Sequence, residues 1–222
     1  IRVSALDEPE YPKDLETAIE CKPDAILLPK VERAQMLEGL SAALRSAGAE
    51  DIRIWAMIES PLGLVNLREI ASFGQNLQCL VVGPNDLAKD TGVSMDNDRQ
   101  AMVPWLMDII AHGRANGLAL LDGVFNAFRD ETGLERQCLQ GAQMGFDGKT
   151  LIHPAQVDVA NEAFAPSEDE IDLARRQIAA FEEVEASGQG VAVVEGKIVE
   201  NLHVVTAREI LAKADAIAAI SA

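Results

Sequence analysis

The chain has 222 residues, of which 48% are apolar and 25% are charged, enough apolar residues for a sizeable core in one large domain with or without a small appendage. Its formal net charge of −17, with no cluster of Lys and Arg, argues against a nucleic-acid-binding surface. No apolar run reaches the roughly 18 residues of a membrane span, so we expect a soluble protein that does not bind membranes.

The cysteine pattern favours free thiols. Cys21, Cys79 and Cys138 are odd in number, widely spaced and in apolar surroundings. Neither a disulfide framework nor a zinc site is indicated by such spacing. We therefore predict buried, reduced thiols and a location in the cytoplasm.

Strand-like and helix-like segments alternate through the first 154 residues. The predicted strands cover residues 1–6, 25–31, 54–58, 80–83, 118–125 and 145–154. The predicted helices between them cover residues 13–20, 32–47, 67–71, 99–116 and 130–144. This alternation predicts a parallel sheet. We count six units of strand and helix, whereas a closed (β/α)8 barrel needs eight, so two units of such a barrel would lie ahead of Ile1.

The pattern changes beyond Pro166. A long amphipathic helix, a flexible break, a β-hairpin turning at Glu195-Gly196 and a closing helix are predicted at residues 168–186, 187–190, 191–199 and 206–220. We therefore predict two domains. Residues 1–165 would form a partial barrel with the active site, and residues 166–222 a C-terminal lid and oligomerisation segment.

Two acidic residues follow directly on predicted strands. Glu59 ends the apolar run 54–58 and is followed by Ser60-Pro61, a helix cap and first helical position. Asp86 follows the run 80–83 in the same way. Parallel strands present their ligands at their carboxyl ends, and a pair of hard oxygen ligands suits Mg2+. The alternative is that each acid is a helix cap or an ordinary loop residue.

Further candidate site residues lie in the loops after other strands. Lys30 can anchor an anion at the same edge or simply be solvated, and Asp122 can join the acidic pair or form an Asp-Gly turn. Residues 145–149 can cradle a phosphate but lack the full P-loop pattern, so Lys149 and His153 are our candidates for cofactor binding. His153 has no second His or Cys at ligand spacing, which favours a structural imidazole over a zinc ligand.

Six motifs together resemble one known family. Residues 28–32, 57–63, 83–89, 122–125, 145–154 and 194–199 closely resemble the citrate lyase beta-subunit-like proteins of the HpcH/HpaI aldolase superfamily. The resemblance implies a TIM barrel with a C-terminal lid that assembles into homo-oligomers, trimers or hexamers. It also implies Glu59 and Asp86 as Mg2+ ligands and a lid acid for proton transfer. Glu200 matches the lid acid, although the family usually has Asp there, and the family's substrate-gripping arginine is expected on a strand ahead of Ile1.

The resemblance predicts a Mg2+-dependent carbon–carbon lyase. Its substrate would be a 3-hydroxyacyl-CoA thioester such as citramalyl-CoA, malyl-CoA or a citryl thioester, and its products acetyl-CoA and a keto acid. Lys30, Asp122 and Glu200 would be the catalytic residues. Two alternatives remain at this point: a malyl-CoA thioesterase that uses the same site, and a non-catalytic or carrier-protein-dependent subunit of the citrate lyase beta type.

Overall fold

The structure is a computed structural model that describes residues 1–95, 99–186 and 191–221. The chain divides into two compact units, Ile1–Ala163 and Phe164–Ala222. Among the described residues, no helix is both long and apolar enough to cross a membrane.

The first unit is built on a parallel sheet. Its strands, within the described residues, are β1 (Ala25–Leu28), β2 (Arg53–Ile58), β3 (Leu77–Val82), β4 (Ala119–Asp122) and β5 (Gly148–Lys149). They pair in chain order, and every neighbouring pair is parallel. The predicted α/β fold with a parallel sheet is confirmed.

Helices lie before, between and after these strands, and those between them make the crossovers that parallel pairing requires. They are α1 (Tyr11–Glu20), α2 (Ala34–Ser46), α3 (Pro61–Val65), α4 (Leu67–Ala71), α5 (Pro84–Thr91), α6 (Val103–Ala115), α7 (Glu131–Met144) and α8 (Val157–Phe164), the last preceded by a 3-10 turn at Pro154–Gln156. Helix α3 begins as its sequence predicts, because the Ser60 hydroxyl accepts a hydrogen bond from Gly63 N at 3.1 Å and Pro61 occupies the first helical position.

The first predicted strand is not formed as such. Residues 1–6 contribute a single parallel bridge, between Arg2 and Leu27, instead of a ladder. Main-chain hydrogen bonds from Leu27 N to Ile1 O and from Val3 N to Leu27 O hold this segment beside β1. The structure therefore has five strands and a bridge in the described part of this unit, and closure into an eight-stranded barrel stays a prediction.

Alternating burial along the strands separates the two faces of the sheet. On β2, Ile54, Ala56 and Ile58 are buried, whereas Trp55 and Met57 on the other face are half-buried. The pairing register sets Ala56 beside Leu28 and Ile58 beside Val82. The carboxyl ends of β1, β2 and β3 therefore lie side by side along one edge of the sheet, which is called the rim from here on.

The second unit packs two helices against each other, with a hairpin that contacts both. It contains α9 (Glu168–Ala186), β6 (Ala192–Val194), β7 (Lys197–Val199) and α10 (Asn201–Ser221). Phe181, Ala192, Val199 and Val204 form its core. The predicted hairpin is confirmed, since β6 and β7 are antiparallel and Glu195 and Gly196 both have positive φ at the turn. The predicted break at residues 187–190 lies outside the described residues.

Two local predictions differ from the structure. The closing helix was predicted from residue 206 but begins at Asn201, where the Nδ1 atom of His203 accepts a hydrogen bond from Glu200 N at 3.0 Å and so supports the first turn. All three thiols are free, but Cys21 is exposed instead of buried because it lies just after the end of α1.

Candidate active site

Glu59 and Asp86 line one pocket at the rim. Glu59 follows β2 directly and is buried, with 5% of its surface exposed, while Asp86 lies in the first turn of α5 and is half-buried. The pocket has a volume of about 390 Å³ and is lined by these two carboxylates together with Arg2, Val3, Ser4, Ala5, Glu8, Asp14, Pro29 and Lys30. The structure thus brings together the two acids whose positions after neighbouring strands marked them in the sequence.

The Glu59 carboxyl is in an environment that disfavours an isolated negative charge. Burial raises the pKa of Glu59 above its ordinary value; a hydrogen bond from the Lys30 main chain lowers it, and the nearby charge of Asp86 raises it again. The net direction is upward. Two carboxylates held at such close range need either a shared proton or a cation between them, so the pair has the electrostatic character of a cation site.

Lys30 contacts this pair through its main chain. Its N–H donates to Glu59 Oε1 at 2.8 Å, and its backbone has a positive φ of 51°. A non-glycine residue in this left-handed region is uncommon and strained. The structure therefore brings the predicted residue Lys30 to Glu59, but the contact it shows is made by the peptide N–H and not by the ammonium group.

The donors fit a magnesium-type ion better than zinc. Among the residues that the structure describes, no three His, Cys, Asp or Glu side chains form a group able to hold a metal ion by themselves. Mg2+ is commonly held by one or two carboxylates, with waters and substrate oxygens completing its octahedron, whereas zinc sites need three or four protein ligands. Glu59 and Asp86 match the first pattern.

Arg2 and Asp14 also line the pocket, although neither was predicted from the sequence. Arg2 lines the same pocket, where it brings a positive charge to a wall otherwise rich in acids. Asp14, on α1, accepts hydrogen bonds through Oδ2 from Ser4 Oγ at 2.6 Å and from Ser4 N at 3.2 Å. A charged residue inside the largely apolar run 1–6 was the available signal for Arg2. It was overlooked because the binding arginine was expected on a strand ahead of Ile1.

Asp122 and Lys149 lie in a buried ion network and not at the pocket. Asp122 shares the buried face of β4 with Leu120, the face that packs against the helices, whereas Ala119 and Leu121 are on the other face. Its carboxylate accepts from Arg99 Nη1 at 2.7 Å and from Lys149 Nζ at 2.8 Å.

The contacts of this network are structural. The side chains of Asp122 and Lys149 are 0% exposed and that of Arg99 is 1% exposed. Burial lowers the pKa of Lys149, while the adjacent Asp122 carboxylate opposes this shift. Neither side chain has an open path to a ligand in this arrangement, so the predicted catalytic role of Asp122 and the predicted cofactor-binding role of Lys149 have no support in the observed contacts.

His153 and Glu200 are both exposed but lie in different units. The His153 ring stacks on Phe128 with a centroid distance of 4.7 Å, and its Nδ1 accepts from Ala155 N at 3.1 Å, which caps the 3-10 turn. Glu200 belongs to the second unit and precedes α10. The structural imidazole weighed for His153 agrees with these contacts. The ligand-binding role of His153 and the proton-transfer role of Glu200 stay predictions.

Comparison with known proteins identifies the family. Residues 1–154 match the HpcH/HpaI aldolase/citrate lyase family. The chain belongs to this family. Its relatives include enzymes named for their action on CoA thioesters.

Three HpcH/HpaI relatives show the range of similarity. A (3S)-malyl-CoA thioesterase of Cereibacter sphaeroides strain KD131 is 54% identical over 100% of this chain and 76% of the relative. The citrate lyase subunit beta of Leuconostoc mesenteroides subsp. cremoris is 35% identical over 97% of this chain and 74% of the relative. The crystal structure of CitE from Mycobacterium tuberculosis, in complex with magnesium, acetoacetate and coenzyme A, has a TM-score of 0.77 at 27% identity, covering 96% of this chain and 77% of that one.

These comparisons correct the predicted activity. The relatives that share about half of their residues with this chain, over its whole length, are thioesterases. Citrate lyase beta subunits and a malyl-CoA lyase share about a third. The prediction of a carbon–carbon lyase as the main activity was therefore wrong, and the thioesterase alternative is favoured.

Replacing Asp122 tests the structural role of the buried network. Asp122→Ala leaves two buried cations, Arg99 and Lys149, without their carboxylate, and we expect a loss of about 3–5 kcal/mol in the free energy of unfolding. Urea unfolding followed by circular dichroism measures it. Glu38→Ala, which removes the exposed partner of Arg45, is the matched control and should shift the midpoint far less. Equal shifts in both variants would contradict the structural assignment.

Proposed function

We propose that the protein is a Mg2+-dependent thioesterase that hydrolyses malyl-CoA or a close analogue with a carboxylate and a hydroxyl group on neighbouring atoms. The observation that carries this proposal is the 54% identity to a (3S)-malyl-CoA thioesterase along the whole chain. The paired carboxylates at the rim support the metal requirement. So does the CitE structure, which was determined with magnesium and coenzyme A.

Glu59 and Asp86 would hold the metal ion. Their two carboxylates supply hard oxygen donors and leave other coordination positions for water and for substrate oxygens. When bound, Mg2+ neutralises negative charge and polarises the oxygens that it contacts. Glu59 is held by the Lys30 N–H at 2.8 Å, so this donor is oriented before any ligand arrives.

Arg2 would bind the free carboxylate of the acyl group. The protein carries a formal charge of −17, and its average field repels an anionic substrate. A local cation in the pocket offsets that repulsion, and a guanidinium group can bind a carboxylate through two parallel hydrogen bonds. Arg2 and Lys30 are the cations that line the pocket, within the described residues.

Hydrolysis needs water at the thioester carbonyl. The oxygen of water bonds to the carbonyl carbon, the carbon–sulfur bond breaks, and a proton passes to the leaving sulfur, so that malate and the free thiol of CoA are formed. Ser4, Glu8 and Asp14 give the pocket polar walls, which are suited to hold water close to the acyl group. The carbon–carbon bond beside the hydroxyl group stays intact in this reaction.

The finer architecture is part of the same proposal. The parallel sheet would belong to a (β/α)8 barrel, with the second unit acting as a lid, and the protein would form homo-oligomers. The TM-score of 0.77 to CitE supports a shared architecture. Acyl-CoA would be the substrate partner.

The products and the metal requirement test this function directly. With Mg2+ and malyl-CoA, we expect malate and free CoA thiol, detected by mass spectrometry and by a thiol reagent. EDTA should abolish the reaction and added Mg2+ should restore it, because the carboxylate pair cannot polarise an oxygen without a cation. Acetyl-CoA and glyoxylate as the main products would contradict the thioesterase assignment.

Isosteric variants test whether Glu59 and Asp86 are the residues that bind the metal ion. Glu59→Gln and Asp86→Asn each remove one negative charge from the pair, and we expect kcat to fall by about 100-fold or more, the scale of lost electrostatic stabilisation in active sites. Asp90→Asn changes an exposed acid on the same helix as Asp86 and should behave like the wild-type protein.

Arg2 is tested by the kinetics of substrate binding. Arg2→Ala should raise KM for malyl-CoA by about 10- to 100-fold, because a hydrogen bond to a charged group contributes roughly 1.5–3 kcal/mol. Steady-state kinetics with the free thiol as readout measures it. Arg53→Ala removes an exposed arginine at the amino end of β2, opposite the rim, and is the matched control. An unchanged KM in Arg2→Ala would remove Arg2 from the binding site.

A further inference from the structure

We infer that Gly83 and the main-chain N–H of Lys30 are positioning groups that preset the metal ligand Glu59 from the two neighbouring rim loops. This inference rests on the proposed metal site. It adds Gly83, which has no side chain, to the residues of that site. It also assigns Lys30 a role that its main-chain N–H performs and its ammonium group does not.

Gly83 leaves the space that the Glu59 side chain occupies. A Cβ atom built on Gly83 would lie 2.5 Å from Glu59 Oε2, 3.2 Å from Cδ and closer still to Cβ. Real Cβ atoms do not approach other heavy atoms this closely, and a conflict at the Glu59 Cβ cannot be relieved by rotating the end of the side chain. Glu59 can therefore keep its observed position only while residue 83 is glycine.

Lys30 fixes the other carboxylate oxygen. Its N–H donates to Glu59 Oε1 at 2.8 Å from a backbone with φ of 51°. The two oxygens of one carboxylate are therefore defined by different loops, Oε1 by the loop after β1 and Oε2 by close contact with the loop after β3. The main-chain hydrogen bond lowers the pKa of Glu59 more than the charge of the Lys30 side chain does.

The strand register explains why these groups meet. Gly83 N donates to Ile58 O at 3.0 Å and Val31 N donates to Met57 O at 3.1 Å, so both loops are pinned beside the end of β2. Glu59 emerges between them. The strain of a left-handed lysine is the kind of local cost found at functional sites, where the surrounding structure holds the conformation in place.

Cation binding to Gly83→Ala tests the inference without relying on turnover. Mn2+, a paramagnetic substitute for Mg2+, is titrated into each protein and followed by electron paramagnetic resonance. We expect at least about a tenfold loss of affinity in Gly83→Ala, the range seen when the groups that orient metal ligands are removed. Gly39→Ala, on α2 with open space around the added Cβ, is the matched control and should bind Mn2+ as the wild-type protein does.

A second variant separates displacement of Glu59 from a failure to fold. Glu59→Gly/Gly83→Ala removes the side chain that the new Cβ would meet, so thermal stability lost in Gly83→Ala should return while Mn2+ binding remains lost. If the thermal stability of the double variant stays as low as that of Gly83→Ala, the added Cβ must clash with a group other than the Glu59 side chain. That result would overturn the role of Gly83. Wild-type affinity in Gly83→Ala would overturn it as well.

The role of the Lys30 main chain has its own test. Lys30→Ala and Lys30→Gly both keep the N–H, so we expect Mn2+ affinities within about twofold of the wild-type protein, well below the tenfold scale expected for lost positioning groups. A tenfold loss in both would show that the ammonium group holds the site.

Failure of the metal site and failure of this inference give different results. If the wild-type protein binds no Mn2+, the proposed metal site fails. If the wild-type protein and Gly83→Ala bind Mn2+ equally well, only this inference fails.

Discussion

The rim depends on one buried carboxylate and on the contacts that keep it in place. Glu59 is 5% exposed, and both burial and Asp86 raise its pKa. An acid in this position would turn away from its neighbour or take up a proton unless the surrounding chain held it. The Lys30 N–H donates to this carboxylate, and Gly83 leaves the space that its side chain occupies. Preorganisation of this kind lets an anionic donor meet a cation without first rearranging.

Other rim loops meet at glycines in a similar way. A Cβ on Gly63 would lie 2.8 Å from Val31 O, and one on Gly123 would lie 2.7 Å from Val82 O and nearer still to Pro84. Loops that follow β1, β2, β3 and β4 are therefore in closer contact than side chains would allow. Asp86 follows two residues after Pro84 and lines the same pocket as Glu59.

Sequence patterns predicted the elements well and the individual contacts less well. Glu59 and Asp86 each follow an apolar run that was predicted to be a strand. Because the carboxyl ends of parallel strands lie at the same edge of a sheet, the two acids could be placed at one rim without knowledge of tertiary contacts. The burial of Asp122 was not predictable in the same way. An Asp-Gly pair reads as a turn, while its true setting depends on Arg99 and Lys149, which are 23 and 27 residues away along the chain.

The same limit explains the errors over Arg2 and over the activity. Arg2 lies in a segment that forms a single bridge to Leu27, and although its charge stands out in the sequence, its place in the pocket depends on packing against other segments. The resemblance on which the predicted activity rested is to a family whose members include both thioesterases and lyases, and it did not separate the two. The difference between adding water and breaking a carbon–carbon bond depends on the placement of small groups that motifs do not record.

The proposed function requires that Glu59 and Asp86 together form the cation site. This can be tested with a crystal of the protein soaked in Mn2+ and an anomalous difference map measured near the manganese absorption edge. We expect a single strong peak in contact with one oxygen of each carboxylate, with the Lys30 N–H still bonded to Glu59. A map with no peak there, or with its strongest peak at another set of ligands, would show that these two acids do not form the site.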